Sequence, residues 1–568
     1  MAGIHPNFYQ SGPELPKVKG GTFSVDPILP AYLRYRLPSS VADAIWADLE
    51  RFGERCMEEC QKLADEAEAM PPRHVPFDPW GRRIDHIEVS DAWKKLHRIS
   101  AEEGLIAIGY ERAQGEYSRL YQFSKIYLFH PSSAFYTCPL AMTDGAARVI
   151  ELCGTPEMKE RAFRHLTHRD PERFWTSGQW MTERTGGSDV SSTSTIARPS
   201  GSGYLLYGDK WFTSATTSEM ALALGKVEGA TDRREGLSLF YLELRDQDGR
   251  LNKIRINRLK DKLGTKALPT AELTLEGVPA VLLGGVGEGV KRVATMLNIT
   301  RVYNSVTALG TMARVLWLAK DYAAKREAFG KYLVNQPLHV ETLADLETEF
   351  EATFVFGFHL LHLLGKDETG TATLEESTIL RLLTPVLKLW SAKQCISIVS
   401  EVIECIGGAG YIEDTGFPRF VRDSQVFPIW EGTTNVLSLD VLRAMARENA
   451  LEPYLRDVEK RLASVKGANL QAEVGRVREA LNGLKAHAEK LAGAPNANDV
   501  QQAGARSFAI ALGRIMAGAL LLEFADATAA KSGNVRFQAV ARRYCRKPLC
   551  EFPELEALAS DEARQILA

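Results

Sequence analysis

One carboxylate of this chain has neighbours that suit acid–base chemistry. Glu431 lies between Trp430 and Gly432. An aromatic, poorly hydrated neighbourhood disfavours a charged carboxyl group and raises its pKa toward neutrality, where a general base works best. Thr433 and Asn435 follow at once, and their hydroxyl and amide groups suit the edge of a flat heteroaromatic cofactor. The alternative is an ordinary helix start, with a Thr or Asn as its cap and Glu431 in its first turn.

A second motif, far upstream, places hydroxyls beside bare backbone. The run Gly178-Gln-Trp-Met-Thr-Glu-Arg-Thr-Gly-Gly-Ser-Asp-Val190 has hydroxyls at Thr182 and Ser188, with a pair of adjacent glycines between them. Further along, Trp211 offers a flat wall and Thr213 a hydrogen-bond donor. Because glycines let a backbone approach another group closely, this set suits the ring edge and phosphates of a dinucleotide cofactor. The alternative is a β-hairpin with ordinary turn glycines.

These motifs, with the Gly407-Gly408 turn that precedes Glu431, resemble those of acyl-CoA dehydrogenases. Such enzymes use FAD and carry their catalytic glutamate in a similar aromatic-Glu-Gly-Thr context. The resemblance implies α,β-dehydrogenation of an acyl-CoA thioester, in which Glu431 removes the α-proton and the flavin N5 accepts the β-hydride. It implies that Thr213 donates to N5. The implied cofactor contacts are Met181, Thr182, Ser188, Trp211, Thr213, Arg326, Phe329, Glu404, Gly407, Gly408, Trp430, Thr433 and Asn435.

A third match to the family is the run Lys325-Arg-Glu-Ala-Phe-Gly-Lys331. In the family the arginine of this motif reaches the FAD pyrophosphate of a neighbouring subunit, and a guanidinium fork binds phosphate oxygens in pairs. The resemblance therefore implies a site shared between protomers of a homodimer or homotetramer, with Arg326 on the pyrophosphate and Phe329 packed beside it. The alternative for Arg326 is a cation at a helix C-terminus.

Some positions depart from the family pattern. Glu404 stands where the common enzymes carry Gln, and because a carboxylate repels a pyrophosphate, we expect Glu404 to point elsewhere or to bond ribose hydroxyls. Thr300 and Arg301 match the family's Thr-Arg pair near the substrate mouth, although Asn298 replaces the usual Asp. Arg301 is expected to meet a CoA phosphate or another anion. Thr300 occupies the place of the base in isovaleryl-type enzymes, which leaves Glu431 as the candidate base.

Within the family the chain most resembles the AidB-like flavoproteins of the alkylation response. The run Phe77-Asp-Pro-Trp-Gly-Arg-Arg-Ile-Asp85, the Glu404 substitution and an added C-terminal α-helical segment carry this resemblance. AidB-like proteins have been linked to DNA binding through that segment, so a nucleic-acid-binding flavoprotein with little dehydrogenase turnover is an alternative function. Its candidate phosphate contacts are Arg536, Arg542, Arg543, Arg546 and Lys547. We favour a solvated helix face for these cations.

Two further alternatives concern the cofactor and the electron acceptor. The run Gly285-Val-Gly-Glu-Gly289 between a strand and a helix suggests a Rossmann enzyme, but it lacks the G-x-G-x-x-G spacing and the next βαβ strand. We therefore give it little weight. For the dehydrogenase, an electron-transfer flavoprotein and oxygen are both open as electron acceptors.

The composition limits the class of protein. Over 568 residues, 69 Lys and Arg balance 72 Asp and Glu, so no global field favours nucleic acid or an anionic membrane. The 8 cysteines lack zinc spacing, which indicates reduced, mostly buried thiols and no metal site. The N-terminus shows no secretory apolar run, and the chain does not end in a peroxisomal tripeptide. We expect a cytoplasmic protein, with mitochondrial and peroxisomal locations left open.

Hydrophobic periodicity changes along the chain and predicts an α+β multidomain fold. Residues 1–37 lack a sustained period and predict a surface arm, and Ser40 is expected to be the N-cap of a helix that runs to about Met70. A period near two follows Phe174, and three- and four-residue spacing returns over residues 340–361. The order agrees with the family's helical domain, β-barrel-like domain and four-helix bundle. The predicted domains are 1–172 (α-helical), 173–285 (β), 286–445 (α bundle) and 446–568 (extra α-helical).

The extra C-terminal segment contains an apolar helix of nearly membrane-spanning length, residues 507–525. Arg514 lies at its centre and would cost about 2.5 to 3.5 kcal/mol on membrane-insertion scales. We therefore predict a buried bundle helix and no membrane contact. A charged helix is expected before it, from Leu451 to Leu491.

Overall fold

Helices form both ends of the chain and strands form its middle. The computed structural model describes residues 12–230, 236–494, 497–555 and 561–568. The first segment contains a hairpin of strands β1 (Arg73–Phe77) and β2 (Arg83–Glu88). Its helices are α1 (Gly21–Val25), α2 (Leu29–Arg36), α3 (Ser39–Arg55), α4 (Gln61–Ala69), α5 (Asp91–Glu102), α6 (Ala107–Glu111), α7 (Ser118–Phe129), α8 (Thr137–Cys153), α9 (Pro156–Met158) and α10 (Arg164–Leu166).

The middle segment is a closed strand barrel, which confirms the strands predicted from the period of two and the barrel-like domain implied by the resemblance. Strand β6 pairs with β4, β4 with β5, β5 with β9, β9 with β7, and β7 again with β6, which closes the ring. Most neighbours are antiparallel, so the Rossmann alternative is wrong. The strands are β3 (Ser177–Trp180), β4 (Ile196–Ser200), β5 (Gly203–Ser214), β6 (Met220–Val227), β7 (Leu237–Glu243), β8 (Ile254–Leu259) and β9 (Thr270–Leu283).

Long helices follow the barrel, and the predicted bundle helix over 340–361 lies inside α12. A two-residue turn joins the short strands β10 (Glu327–Ala328) and β11 (Lys331–Tyr332). The helices are α11 (Gly289–Lys325), α12 (Pro337–Glu368), α13 (Leu374–Ile406), α14 (Phe417–Ser424), α15 (Thr434–Glu448), α16 (Leu451–Ser464), α17 (Gln471–Gly493), α18 (Ala497–Ser532), α19 (Arg536–Cys545) and α20 (Asp561–Leu567). The single charged helix expected over 451–491 is therefore two helices.

Short turns of other helical types complete the elements. Cys56–Cys60 and Lys159–Phe163 are π-helical turns that continue α3 into α4 and α9 into α10. The 3₁₀ turns are Gly115–Tyr117, His130–Ser132, Val190–Ser192, Leu333–Asn335, Gly407–Tyr411, Glu413–Thr415 and Ala468–Leu470.

Contacts between Cα atoms divide the chain into two units. The helical unit comprises the residues up to Arg51, Gln114–Leu120 and Asn304–Ala568. The barrel unit comprises Phe52–Ala113 and Tyr121–Tyr303. The four domain boundaries expected from the sequence stay a prediction.

The expected surface arm is wrong for residues 21–36, whereas residues 12–19 are irregular and mostly exposed. Residues 21–36 form α1 and α2, and the side chains of Phe23 and Leu33 are fully buried in the helical unit. Phe23 packs edge-on against Trp46 at 4.9 Å between ring centroids, and Tyr32 packs against Phe358 at 5.8 Å. Aromatic burial of this kind outweighs the weak local propensity of a Pro- and Gly-rich run. Residues 1–11 of the arm lie outside the described residues.

The proline-rich run after Met70 is a β-hairpin in the barrel unit. Arg83 donates to the Ile256 carbonyl at 2.7 Å, and the Ile256 N–H donates to Asp85 Oδ2 at 3.1 Å, so the hairpin is bonded to β8. The prediction of Ser40 as the N-cap is also wrong, because α3 begins at Ser39, directly after Pro38. The first segment is otherwise mainly helical, as expected.

The apolar C-terminal helix is a core helix of the helical unit. α18 is long and apolar enough to cross a membrane, but 83% of its most apolar window is buried inside the protein. Arg514 contacts Glu349 of α12 at 3.4 Å, and its guanidinium lies 5.3 Å from the Trp390 ring centroid. The prediction of a buried bundle helix is confirmed.

Candidate active site

Glu431 lies in the turn between α14 and α15, within the helical unit. Its backbone is left-handed, with φ of +58°, and Gly432 follows at +106°. A left-handed residue that is not glycine costs about 1 to 2 kcal/mol. The alternative that placed Glu431 in the first turn of a helix is wrong, because α15 begins at Thr434. Strained backbone of this kind is concentrated at functional sites, which favours a chemical role for Glu431.

The strain at Glu431 predicts an unusual order of stabilities. Glycine adopts a left-handed backbone without the steric penalty that any Cβ brings. We expect Glu431→Gly to be more stable to urea than Glu431→Ala by about 1 kcal/mol, although glycine normally destabilises a chain. Equal unfolding free energies for the two variants would show that the turn relaxes and carries no strain.

The N-terminus of α15 presents donors next to this carboxylate. Thr433 occupies the N-cap position, but its side chain makes no capping hydrogen bond. The N–H groups of the first turn of a helix have no partner within the helix, so they and the dipole favour an anion or a polar ring edge. Thr433 and Asn435 are exposed, whereas Trp430 and Glu431 are half-buried. This turn thus joins four of the predicted site residues.

The glycine turn after α13 leaves its backbone open. A Cβ added at Gly407 or Gly408 would meet no atom within 4 Å, and Gly407 has φ of +75°. Glu404, one turn earlier, has an exposed side chain and a carbonyl that accepts from the Gly407 N–H. Among the described residues, the backbone of this glycine turn is therefore open to a close approach by another group.

Arg326 and Phe329 lie in the β10–β11 hairpin of the helical unit. Arg326 directly follows the last residue of α11, so the helix C-terminus alternative agrees with its position. Phe329 forms the turn with Gly330, at φ of +53° and +74°. The Phe329 side chain is 99% exposed within a single chain. A large apolar group presented in this way suits contact with another chain.

A buried ion pair holds the polar motif of the barrel unit. Glu183 follows Thr182 and accepts from Lys210 Nζ at 2.7 Å, and Ser194 and Thr195 also donate to its carboxylate. Burial raises the pKa of Glu183, but the charge of Lys210 and these hydrogen bonds outweigh it and bring the pKa to about 2. Burial lowers the pKa of Lys210. The pair fixes the start of the loop that carries the predicted cofactor contacts.

The contacts predicted in this motif differ in exposure. Met181 is buried, Thr182 is half-buried and Ser188 is exposed. The Thr182 carbonyl accepts from the Trp211 N–H at 3.0 Å, so the loop is bonded to β5. A Cβ at Gly187 would lie 2.9 Å from Thr182 Oγ1, which explains why glycine is needed there.

Trp211 and Thr213 both lie on β5, but a cation covers the ring of Trp211, whereas the hydroxyl of Thr213 is buried and hydrogen-bonded. Lys260 Nζ lies 3.5 Å from the Trp211 ring centroid, so this indole already carries a cation on its face. Thr213 is buried, and its hydroxyl donates to the Ala271 carbonyl at 2.7 Å. Because a hydroxyl has one proton, donation from Thr213 to a flavin N5 would require this bond to be exchanged. That donation stays a prediction.

Thr300 and Arg301 lie on α11 in the barrel unit. The Thr300 side chain is buried, and its hydroxyl contacts the carbonyls of Met296 and Leu297 at 3.2 and 3.1 Å. This is ordinary bonding of a threonine to its own helix. Arg301 is half-buried. Their roles at a substrate mouth stay predictions.

Two buried lysines near the predicted site residues were not predicted from the sequence. Lys210 directly precedes Trp211 on β5, and Lys388 lies in the middle of α13, where its ammonium donates to the Gly432 carbonyl at 2.6 Å. Both side chains are fully buried. A lysine in a helix or strand is normally exposed, and no local pattern marks either one as buried. For Lys210, the available signal was its position directly before the predicted cofactor contact Trp211.

Comparison with known proteins decides the family. The profile described as acyl-CoA dehydrogenase, C-terminal domain matches residues 287–446, and the middle-domain profile matches 178–278. The adaptive response protein AidB N-terminal domain matches 17–172, and the acyl-CoA dehydrogenase 11 C-terminal domain-like profile matches 449–567. Acyl-CoA dehydrogenase family member 11 of Caenorhabditis elegans is 42% identical over 97% of this chain and 90% of its own length.

The chain belongs to the acyl-CoA dehydrogenase family. The crystal structure of Caenorhabditis elegans ACDH-11 in complex with C11-CoA superposes with a TM-score of 0.94 at 42% identity, over 100% of this chain and 97% of that one. AidB of Escherichia coli (strain K12) is 30% identical over 76% of this chain and 79% of its own. The resemblance to AidB-like acyl-CoA dehydrogenases is therefore confirmed.

FAD is the cofactor of this family, and the donor set described above fits it. The open backbone at Gly407 and Gly408 and the uncapped start of α15 offer N–H donors to polar and anionic groups. Exposed Thr433, Asn435 and Arg326 add hydroxyl, amide and guanidinium donors of the kind that flavin edges and pyrophosphates accept. When bound, FAD supplies the hydride acceptor of the family's reaction.

The basic C-terminal stretch is largely paired within the helical unit. Three of its five cations donate to carboxylates on α12. The pairs are Arg536–Glu351, Arg543–Asp345 at 2.7 Å and Lys547–Glu349 at 3.2 Å. Cations that neutralise the protein's own carboxylates are poorly placed to neutralise phosphates. Arg536 and Arg546 are exposed, and Arg542, Arg543 and Lys547 are half-buried. The solvated helix face therefore stays a prediction, with three of its cations paired to α12.

This pairing predicts weak binding to nucleic acid. Fluorescence anisotropy of a short labelled DNA duplex should show no shift with the protein at about 50 mM salt, because too few cations are available for counterion release. A clear shift that falls steeply with added salt, and falls further in the double variant Arg542→Ala/Arg546→Ala, would contradict the prediction.

Proposed function

We propose that the protein oxidises an acyl-CoA thioester between its α and β carbons, with Glu431 as the base. The observation that carries this proposal is the strained turn of the helical unit, which holds a carboxylate beside an indole and next to the open N-terminus of α15. The relative ACDH-11 was crystallised with C11-CoA, which supports a thioester of CoA as the ligand class.

The residues of this chain perform the proton half of the reaction. The carboxylate of Glu431 removes one α-proton, and the resulting negative charge develops on the thioester oxygen. N–H donors preorganised near that oxygen stabilise the charge more than water does, because they need no reorganisation. Trp430 and Glu431 are both half-buried, so the carboxylate is only partly exposed to water.

We also propose that the site is shared between protomers of a homo-oligomer. The fully exposed Phe329, on the same hairpin as Arg326, supports this arrangement. Light scattering of the purified protein should give at least the mass of a dimer, and the mass of one chain would contradict the proposal.

Product analysis tests the proposed reaction. The protein, loaded with FAD, is incubated with saturated acyl-CoAs of graded chain length and an artificial electron acceptor, and the thioesters are analysed by mass spectrometry. We expect a 2-enoyl thioester, two hydrogens lighter than its substrate, with an optimum at one range of chain lengths. Unchanged thioesters at every length would contradict the proposal.

A further inference from the structure

The turn that carries Glu431 is anchored from two other helices of the helical unit. Lys388 of α13 donates its ammonium to the Gly432 carbonyl at 2.6 Å. Asn304 of α11 donates its amide to the Phe427 carbonyl at 3.2 Å. Both side chains are buried, Lys388 completely. The nine residues between α14 and α15 are therefore bonded near each end by side chains that the turn itself does not supply.

The hydrogen bond to Gly432 requires a buried ammonium, and burying that charge costs free energy. A buried ammonium loses its hydration, and burial is tolerated only where hydrogen bonds replace the lost water. A methionine or leucine at position 388 would fill the same core of α13 without that cost. Unlike either alternative, the buried lysine places a donor at the carbonyl next to Glu431.

We propose that Lys388 is a positioning residue for the base Glu431, an inference that rests on the proposed function. Glu431 and Gly432 have consecutive positive φ values of +58° and +106°. Glycine has no intrinsic preference for its own value, and Glu431 disfavours its value. The hydrogen bond from Lys388 fixes the orientation of the peptide unit after Gly432 and so holds both residues in this conformation. The Glu431 carboxylate then keeps one direction relative to the turn.

The effect on rate follows from the geometry of proton transfer. A displacement of about 1 Å in a reacting group, caused by a residue that does not touch the substrate, costs up to about 100-fold in rate. Without its donor, the Gly432 carbonyl is free to rotate, and the turn gains other conformations. We expect the substrate to bind nearly as before, because Lys388 is buried and offers it no surface.

The test compares Lys388→Met, Lys388→Arg and the control Lys320→Met by anaerobic stopped-flow reduction of the bound flavin with acyl-CoA. Lys320 lies on α11 and contacts Glu347 at 2.9 Å, so its loss removes a lysine of the same unit away from the turn. We expect Lys388→Met to lower the limiting rate by about 10- to 100-fold with a nearly unchanged half-saturation concentration. Lys388→Arg, which retains a donor, should recover part of that loss, and Lys320→Met should match the unaltered protein. Reduction by Lys388→Met at the unaltered rate would overturn the proposal.

A second measurement separates this inference from the proposed function. Hydrogen exchange of the backbone amides in residues 426–434 reports local opening whether or not the protein oxidises acyl-CoA. We expect at least tenfold faster exchange there in Lys388→Met, with unchanged exchange in the middle of α12. If the unaltered protein does not reduce its flavin, the proposed function fails, while this exchange still decides whether Lys388 holds the turn. Unchanged exchange across 426–434 would overturn the positioning role.

Discussion

Replacing Glu431 by Gln should lower the rate of flavin reduction by acyl-CoA by about 10²- to 10⁴-fold, the usual contribution of a general base. The amide has nearly the shape of the carboxylate but cannot accept the α-proton. FAD should remain bound, since no contact attributed to the cofactor depends on the charge of this side chain. The measurement is anaerobic stopped-flow absorbance of the FAD-loaded variant beside the unaltered protein.

Glu413→Gln is the matched control for this experiment. Glu413 lies shortly before α14, whereas Glu431 lies shortly after it. Glu413 is exposed and pairs with Arg422 of α14 at 2.5 Å. Loss of such a surface pair typically changes stability by less than about 1 kcal/mol, and it should leave the reduction rate unchanged. If Glu431→Gln is reduced as fast as the unaltered protein, another group is the base.

Lys210→Met should destabilise the barrel unit by about 3 to 5 kcal/mol. The variant leaves the carboxylate of Glu183 inside the barrel, 3% exposed, without its counter-charge. Urea unfolding followed by tryptophan fluorescence measures the loss. Arg198→Met, which breaks the exposed pair with Glu228 on the same barrel, should cost less than about 1 kcal/mol. Similar losses for the two variants would show that burial does not strengthen the Glu183–Lys210 pair.

The same pair predicts a pH dependence with a definite sign. The pKa of Glu183 is about 2 in the folded protein, against an ordinary value of 4.5. Because the pKa of Glu183 is lowered on folding, its ionised carboxylate stabilises the folded protein at pH values above about 4.5. That contribution of about 3 kcal/mol is lost as the pH falls from about 4.5 to 2. The difference in unfolding free energy between the unaltered protein and Lys210→Met should therefore become smaller as the pH falls over this range. A difference that stays constant with pH would contradict this prediction.

The strongly periodic parts of the fold could be predicted from the sequence. Alternation over the strands of the barrel and three- and four-residue spacing in α12 each reflect one buried face, which a single sequence displays directly. α1 and α2 could not be predicted, because Phe23 and Tyr32 are buried by partners far along the chain, such as Phe358. The β1–β2 hairpin was hidden by prolines that usually interrupt strands.

In the candidate site, too, some features could be predicted from the sequence and others could not. Motif residues such as Glu431, Trp211 and Arg326 are recognisable because their types are unusual in their context. The left-handed backbone at Glu431 and the burial of Lys388 follow from the packing of separate helices, and a sequence shows neither. The pairing of Arg543 with Asp345 was missed for the same reason, since the two residues are 198 positions apart.

The most direct test of the account is an anaerobic titration of the yellow, FAD-loaded protein with a saturated acyl-CoA. We expect the flavin absorbance band to disappear as substrate is added and the Glu431→Gln variant to keep its colour under the same conditions. A band that survives excess acyl-CoA of every chain length in the unaltered protein would contradict the account.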